Sequence, residues 1–100
     1  MRRGTTPTIT ITTDVDLTTY DTVILTIRDK NHTQIDIAKD KMTITDTSVC
    51  VTLSQEQTLA LKEGSIEMQI RAAISGKAIA SNIMNGEMNK ILRDGVIGYD

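Results

Sequence analysis

Cys50 and His32 are the side chains that most invite a chemical role, because each is the only residue of its type in the chain. A cysteine nucleophile needs a basic partner and a lowered thiol pKa. A zinc site needs several Cys or His ligands. We predict that His32 lies in a polar turn and that Cys50 lies within a strand, far from it along the chain. The sequence therefore favours ordinary turn and strand residues over a catalytic pair or a metal site.

Asp14 and Asp16 lie on the same side of an extended segment and could offer carboxylates to a cation or to acid–base catalysis. A calcium site needs several more oxygen ligands and usually a glycine-containing turn. General acid–base chemistry needs a pocket, which nothing in the sequence locates. No nucleophile elbow, P-loop or dinucleotide-binding glycine pattern occurs. We predict a non-enzymatic protein without catalytic residues, metal ligands or cofactors, and interpret both aspartates as solvated.

Composition narrows the classes of partner. The chain has 100 residues, one cysteine and a formal net charge of −2 at pH 7. This length fits a single domain over 1–100, and a lone cysteine excludes an intramolecular disulfide. Apart from Arg2-Arg3 the basic residues are scattered, so we expect no nucleic-acid or membrane partner. No apolar run approaches the roughly 20 residues of a membrane-spanning helix.

Alternation of apolar and polar residues predicts the strands. The first spans 5–13, where Ile9 and Ile11 share one face while Thr8, Thr10 and Thr12 share the other. Because it begins so early, we expect no leader, anchor or domain before it. Further strands are predicted at 22–28, 34–38, 42–45, 48–53, 65–71 and 78–84, the last with a continuation past Gly86 to Met88. We also expect the extended pattern of the first strand to continue through Asp14 to Leu17.

The hydrophobic period changes after the fifth predicted strand. Ser54 and Gln57 have the spacing of a capping box, which predicts a short helical turn near 54–61. About seven short strands separated by turn residues predict an all-β fold, an immunoglobulin-like antiparallel β-sandwich. A small barrel is the alternative architecture.

Two segments are candidate interaction surfaces. The first strand carries no charge, so its outer residues Thr8, Thr10 and Thr12 form either a solvated sheet surface or an edge that pairs with another chain, including a second copy. We place the core of the sandwich at about 5–88 and a tail at 89–100. The tail carries apolar residues without a regular period, which could pack back onto the sandwich or contact a partner. These are Ile91, Leu92, Val96 and Ile97.

Several short blocks together resemble a known group of proteins. They are Arg2–Thr8, Leu53–Leu59, Gln69–Ala72, Ala78–Ile83 and Ile91–Ile97. Their order and spacing resemble small proteins encoded near the tail and baseplate genes of phages and prophages of Gram-positive bacteria. The chain is also similar to the N-terminal β-sandwich domain of siphophage upper-baseplate proteins, which attaches receptor-binding parts to the tail.

The resemblance implies an immunoglobulin-like structural or adaptor domain whose partners are other virion or tail proteins. It further implies synthesis in the bacterial cytoplasm, followed by assembly into a virion or tail-like particle. Since the chain ends soon after the sandwich, we do not expect it to bind the host receptor directly. The alternative function is a cell-surface carbohydrate-binding module, for which only Tyr20 and Tyr99 could supply aromatic stacking.

Overall fold

Eight β-strands and one short α-helix form the part of the chain that the structure, a computed structural model, describes, residues 1–98. The strands are β1 (Thr8–Thr12), β2 (Thr22–Asp29), β3 (Gln34–Ala38), β4 (Thr43–Ile44), β5 (Ser48–Thr52), β6 (Gly64–Ile74), β7 (Lys77–Ala80) and β8 (Met84–Met88). The helix α1 spans Gln55–Ala60. Short 3-10 turns lie at Leu17–Thr19 and Lys39–Lys41. No helix in the described residues is long and apolar enough to cross a membrane.

The strands form two antiparallel sheets. One has three strands in the order β1-β5-β4, and the other has the order β3-β2-β6, with both β7 and β8 paired to the far side of β6. The predicted all-β sandwich is confirmed, with eight strands where about seven were expected. The strand predicted at 42–45 is reduced to the two residues of β4, which lies at the edge of its sheet.

The core lies between the two sheets and consists of aliphatic side chains. Val23, Leu25 and Ile27 of β2 are fully buried, as their period-two spacing predicts. Val49 and Val51 face them from β5 and belong to the same buried cluster. Among the described positions, Tyr20 is the one buried aromatic residue. The core can form almost without aromatic side chains because β-branched and other aliphatic residues pack well on pleated surfaces.

The predicted helical turn near 54–61 forms, and its capping box is complete. The Ser54 hydroxyl accepts a hydrogen bond from the Gln57 N–H at 3.1 Å, and the Gln57 side chain accepts one from the Ser54 N–H at 2.8 Å. These bonds satisfy two backbone donors that a helix start leaves unpaired. Thr58 packs the helix onto the N-terminal segment, since its buried hydroxyl donates to the Thr5 carbonyl at 2.9 Å.

β7 and β8 form one interrupted edge of the larger sheet. Arg71 pairs with Ala80 in β7, whereas Met68 pairs with Met84 in β8. Two residues of β6 therefore face the three residues 81–83. The one extra residue on the second strand makes this a β-bulge. The interruption explains why the structure has one strand more than the sequence pattern indicated.

The bulge also exchanges the two faces of this edge. Before the bulge, odd-numbered residues such as Ile79 point towards the core. After the bulge, even-numbered residues such as Met88 do so. Ile83 consequently remains 52% exposed, while Met88 is 2% exposed. The prediction of one continuous strand from 78–84 towards Met88 is thus corrected: the extra residue, visible only in the pairing with β6, divides it.

The segment after β1 departs from the predicted extended pattern. Leu17 begins a 3-10 turn, and its side chain is buried in the core. The Asp16 carboxylate caps this turn by accepting hydrogen bonds from the Thr18 hydroxyl at 2.5 Å and the Thr18 N–H at 3.0 Å. A local side-chain cap of this kind competes with strand continuation, which ends the alternation before Leu17.

Candidate protein-interaction surface

One long edge of β1 has no partner in the described part of the chain. β1 is the end strand of the three-stranded sheet and pairs with β5 only. The Leu53 N–H donates to the Pro7 carbonyl at 2.9 Å, and the Thr13 N–H donates to the Thr47 carbonyl at 2.8 Å. Residues that bond across an antiparallel pair alternate with residues that do not, so the odd-numbered positions of β1 bond to β5. The backbone N–H and C=O groups directed away from β5 belong to Thr8, Thr10 and Thr12.

The outer face of the same sheet is uncharged and rich in hydroxyl groups. The Thr8 and Thr52 hydroxyls lie 2.9 Å apart, and the Thr10 hydroxyl lies 3.1 Å from the Cys50 Sγ. Cross-strand pairs of this type stabilise antiparallel sheets. We define the threonine face as the outward side chains of β1, β4 and β5. Its members are Thr8, Thr10, Thr12, Thr43, Ser48, Cys50 and Thr52.

The larger sheet has a different outer face. Asp36 accepts hydrogen bonds from Thr26 at 2.6 Å and from Gln34 at 3.0 Å, which lower the pKa of its carboxyl despite a small opposing effect of burial. Arg28 and Glu67 add a charged pair at 3.9 Å. Because charges need solvent or matched partners, this face is better suited to water than the threonine face.

The other sheet edges are protected in ways that β1 is not. Residues 1–3 cover the end of the outer edge of β8: the Met1 N-terminus donates to the Glu87 carbonyl at 3.0 Å, and the Asn89 N–H donates to the Met1 carbonyl at 2.6 Å. β3 carries the charge of Asp36, β4 has two residues, and β7 has four and begins at Lys77. Short strands, charges and covering segments all discourage edge pairing. β1 has five residues and no charge.

An open groove lies beside β1, between the two sheets. Its volume is about 390 Å³. Its apolar wall comes from both sheets and the intervening turn, and it includes Ile11, Leu17, Ile70, Ala72, Ile79 and Met84. The connection from β3 to β4 crosses between the sheets on the opposite side of the sandwich. The groove therefore opens on the side bounded by β1 and β7.

The four predicted tail residues are in different environments. Ile91 is partly buried and packs over Gly4, where an added Cβ would lie 2.9 Å from the Ile91 Cδ1. Leu92 is 98% exposed, and Val96 and Ile97 are about half exposed. One part of the tail therefore packs back onto the sandwich, and another part leaves apolar side chains exposed to a partner.

Two polar side chains hold the tail and the N-terminal segment against α1. Gln55, only 4% exposed, exchanges two hydrogen bonds with the backbone of Ile97. Arg3 donates to the carbonyls at the end of the helix, at 2.8 Å to Leu59 and 2.9 Å to Leu61, and lies 3.6 Å from the Asp94 carboxylate. Sequence reasoning missed both roles. An arginine near a helix end is a weak signal, and nothing local marks a buried glutamine.

The residues that could have formed a reactive site do not come together. His32 is an exposed residue in the turn between β2 and β3, with a φ of 66°, whereas Cys50 lies on the threonine face. The Asp16 carboxylate caps the 3-10 turn, and the hydrogen bonds that it accepts from Thr18 lower its pKa. Asp14 is exposed. Among residues 1–98, no cluster of three or more His, Cys, Asp or Glu side chains could hold a metal ion.

Among residues 1–98, Asp29 is the one buried carboxylate, and its role is structural. Its Oδ1 accepts from the Asn31 and Thr33 N–H groups, both at 2.9 Å, and its Oδ2 accepts from the Lys62 N–H at 2.8 Å. Burial acts to raise the pKa of this carboxyl, but the backbone donors outweigh it and the pKa lies below 3.8. The side chain thereby ties the β2–β3 turn to the segment before β6.

Comparison with protein families, with curated proteins and with solved structures found no match to this chain. The features that bear on function are therefore the unpaired edge of β1, the threonine face and the exposed tail.

Proposed function

We propose that the chain is a non-enzymatic protein-interaction module, a structural component or adaptor of a phage or prophage tail or baseplate. The observation that carries the proposal is the uncharged, unpaired edge formed by Thr8, Thr10 and Thr12. An extended segment of another chain can add to such an edge through main-chain hydrogen bonds. The resemblance of the sequence blocks to tail and baseplate proteins supplies the particle in which this docking would take place.

The exposed tail supports the same proposal. Leu92 has almost its whole side chain in solvent, although Gln55 and Arg3 hold the segments around it in place. A large apolar side chain displayed on a held segment can contribute an anchor to a protein interface. In this proposal the chain travels from the bacterial cytoplasm into the particle, where β1 and the tail contact neighbouring virion proteins.

No observation in residues 1–98 favours the carbohydrate-binding alternative. Tyr20 is 5% exposed and belongs to the core, so its ring offers no stacking platform. Tyr99 lies outside the described residues.

Particle fractionation tests the proposed function. Tails or tail-like particles are purified by sedimentation from the phage or lysogen that encodes the chain, and the chain is quantified by mass spectrometry against the other particle proteins. We expect it to sediment with the particles in a fixed ratio. A chain that remains entirely in the soluble fraction while complete particles sediment would overturn the proposal.

A matched pair of variants tests the tail. Leu92→Asp and Ile83→Asp each place a carboxylate at an exposed apolar position, one in the tail and one on the bulge. We expect Leu92→Asp to reduce the amount of chain in the particles and Ile83→Asp to leave it unchanged. Equal incorporation of both variants would remove Leu92 from the proposed interface.

A further inference from the structure

We infer that the partner of the β1 edge is β1 of a second copy of this chain, aligned antiparallel about a two-fold axis at Thr10. The inference deepens the proposed function and rests on it, because it names the occupant of the same edge. It follows from the register of free backbone groups, from the charges along the strand and from the isoleucines on its inner face.

The free backbone groups are self-complementary. Thr8, Thr10 and Thr12 are the residues of β1 whose N–H and C=O groups point away from β5. In an antiparallel pair, two facing residues of this kind exchange two hydrogen bonds. A two-fold axis at Thr10 places Thr10 opposite Thr10 of the second copy and Thr8 opposite Thr12 of the second copy. Every free group of the strand then has a partner, whereas a shift by two residues in either direction leaves one threonine of each copy unpaired.

The charges permit this register. β1 has no charged side chain, and the alignment places Asp14 opposite Thr6 of the copy, so no like charges meet along the pair. On the outer face, threonine lies opposite threonine, as Thr8 already lies beside Thr52 within the chain. Cross-strand threonine pairs are favourable in antiparallel sheets. The result is a continuous six-stranded sheet whose outer side joins the threonine faces of both copies.

The inner face gains apolar contacts in the same alignment. Ile9 and Ile11 are partly buried and pack against the core from the free side of the sheet. With the axis at Thr10, Ile9 lies opposite Ile11 of the copy in a non-hydrogen-bonded pair, where facing side chains are closest. The pairing therefore covers isoleucine surface beside the open groove, which a solitary chain leaves to water.

Proline substitution at the outer edge tests the inference. Thr10→Pro removes an N–H that points away from β5, so the intramolecular ladder keeps its bonds, but the dimer loses two hydrogen bonds at its axis. We expect analytical ultracentrifugation to show that the purified chain dimerises with rising concentration and that Thr10→Pro weakens dimerisation on the order of 30-fold. Ala78→Pro is the matched control, because Ala78 also points its N–H outward, at the free edge of β7. We expect no effect from it.

A charge exchange tests the register and does not require proline. Thr8→Glu with Thr12→Lys in one chain places opposite charges across the proposed pair, whereas Thr8→Lys with Thr12→Lys places like charges there. We expect dimers from the first variant and monomers from the second. Dimers of equal strength from both would overturn the register and the axis at Thr10.

Amide hydrogen exchange identifies the occupant of the edge. We expect the amides of Thr8, Thr10 and Thr12 to become protected as the concentration of the pure chain rises. A chain that stays monomeric with unprotected amides, or whose dimer survives Thr10→Pro, would overturn self-pairing. If these amides become protected only after purified tail proteins are added, self-pairing is wrong and the occupant is a different protein. The proposed function is judged separately, by sedimentation with particles.

Discussion

Gln55 and Ile97 exchange two hydrogen bonds, each 2.9 Å long, in which Gln55 Nε2 donates to the Ile97 carbonyl and the Ile97 N–H donates to Gln55 Oε1. The side-chain amide thus pairs with the backbone much as a neighbouring strand residue would. Because Gln55 begins α1, this contact fixes the tail to the helix.

We expect Gln55→Leu to release the end of the tail. The substitution keeps a side chain of similar size but removes both hydrogen bonds, which should lower the free energy of unfolding by about 1–3 kcal/mol. Urea denaturation measures this loss, and hydrogen exchange should show a faster rate at the Ile97 amide. Glu56→Gln changes the exposed neighbour and should leave both values unchanged. An Ile97 amide that exchanges at the parent rate in Gln55→Leu would show that the contact does not hold the tail.

We expect Asp29→Asn to destabilise the β2–β3 turn. The introduced amide can accept bonds through its oxygen but places NH₂ towards the Lys62 N–H, which leaves a buried donor unpaired. The expected loss in unfolding free energy at pH 7 is about 1–3 kcal/mol. Asp46→Asn, an exposed carboxylate exchanged in the same way, should cost far less. Equal losses would assign the effect to charge instead of to the buried bonds.

The same carboxylate gives stability a defined pH dependence. The folded pKa of Asp29 lies below its ordinary value of 3.8, so the folded state favours the ionised form. The associated stability is complete above 3.8 and is lost as the pH falls through the folded pKa. Asp16 and Asp36 act in the same direction. We expect urea midpoints measured between pH 5 and acid to fall less steeply in Asp29→Asn than in the parent chain. Parallel curves would contradict the role of Asp29.

The sequence predicts what depends on near neighbours along the chain. Val23, Leu25 and Ile27 are buried because period-two spacing alone determines their shared face. The capping box of Ser54 and Gln57 is equally local. The threonines of β1 were correctly assigned to one exposed face for the same reason.

Features that depend on distant pairing could not be predicted in this way. The bulge at 81–83 exists only relative to β6, and the bonds between Gln55 and Ile97 join residues far apart in the chain. That β1 ends its sheet also depends on the order of strands, which alternation does not encode. The sequence therefore indicated which residues of β1 face outward, but not that their backbone groups are unpaired.

We expect Gly64→Ala to be costly and Gly86→Ala to be tolerated. Gly64 has a φ of +117°, a backbone conformation that residues with a Cβ rarely adopt, so backbone strain opposes the substitution. The expected loss is about 1–3 kcal/mol. At Gly86 the nearest atom, Ile66 Cγ1, would be 3.4 Å away, an ordinary packing distance. Thermal unfolding of the two variants measures the difference, and equal midpoints would contradict the strain at Gly64.

Two substitutions test the bulge, one in β8 and one in the connection between β7 and β8. Met88→Ala removes a fully buried side chain and should lower the free energy of unfolding by about 2–5 kcal/mol, because it leaves a cavity beside Gly64 and the core. Ile83→Ala, at an exposed position, should change it by no more than about 0.5 kcal/mol. In an uninterrupted strand continuing the alternation from Ile79, position 83 would face the core and position 88 would face solvent. Chemical denaturation giving a large loss for Ile83→Ala and a small one for Met88→Ala would therefore establish the unbulged register.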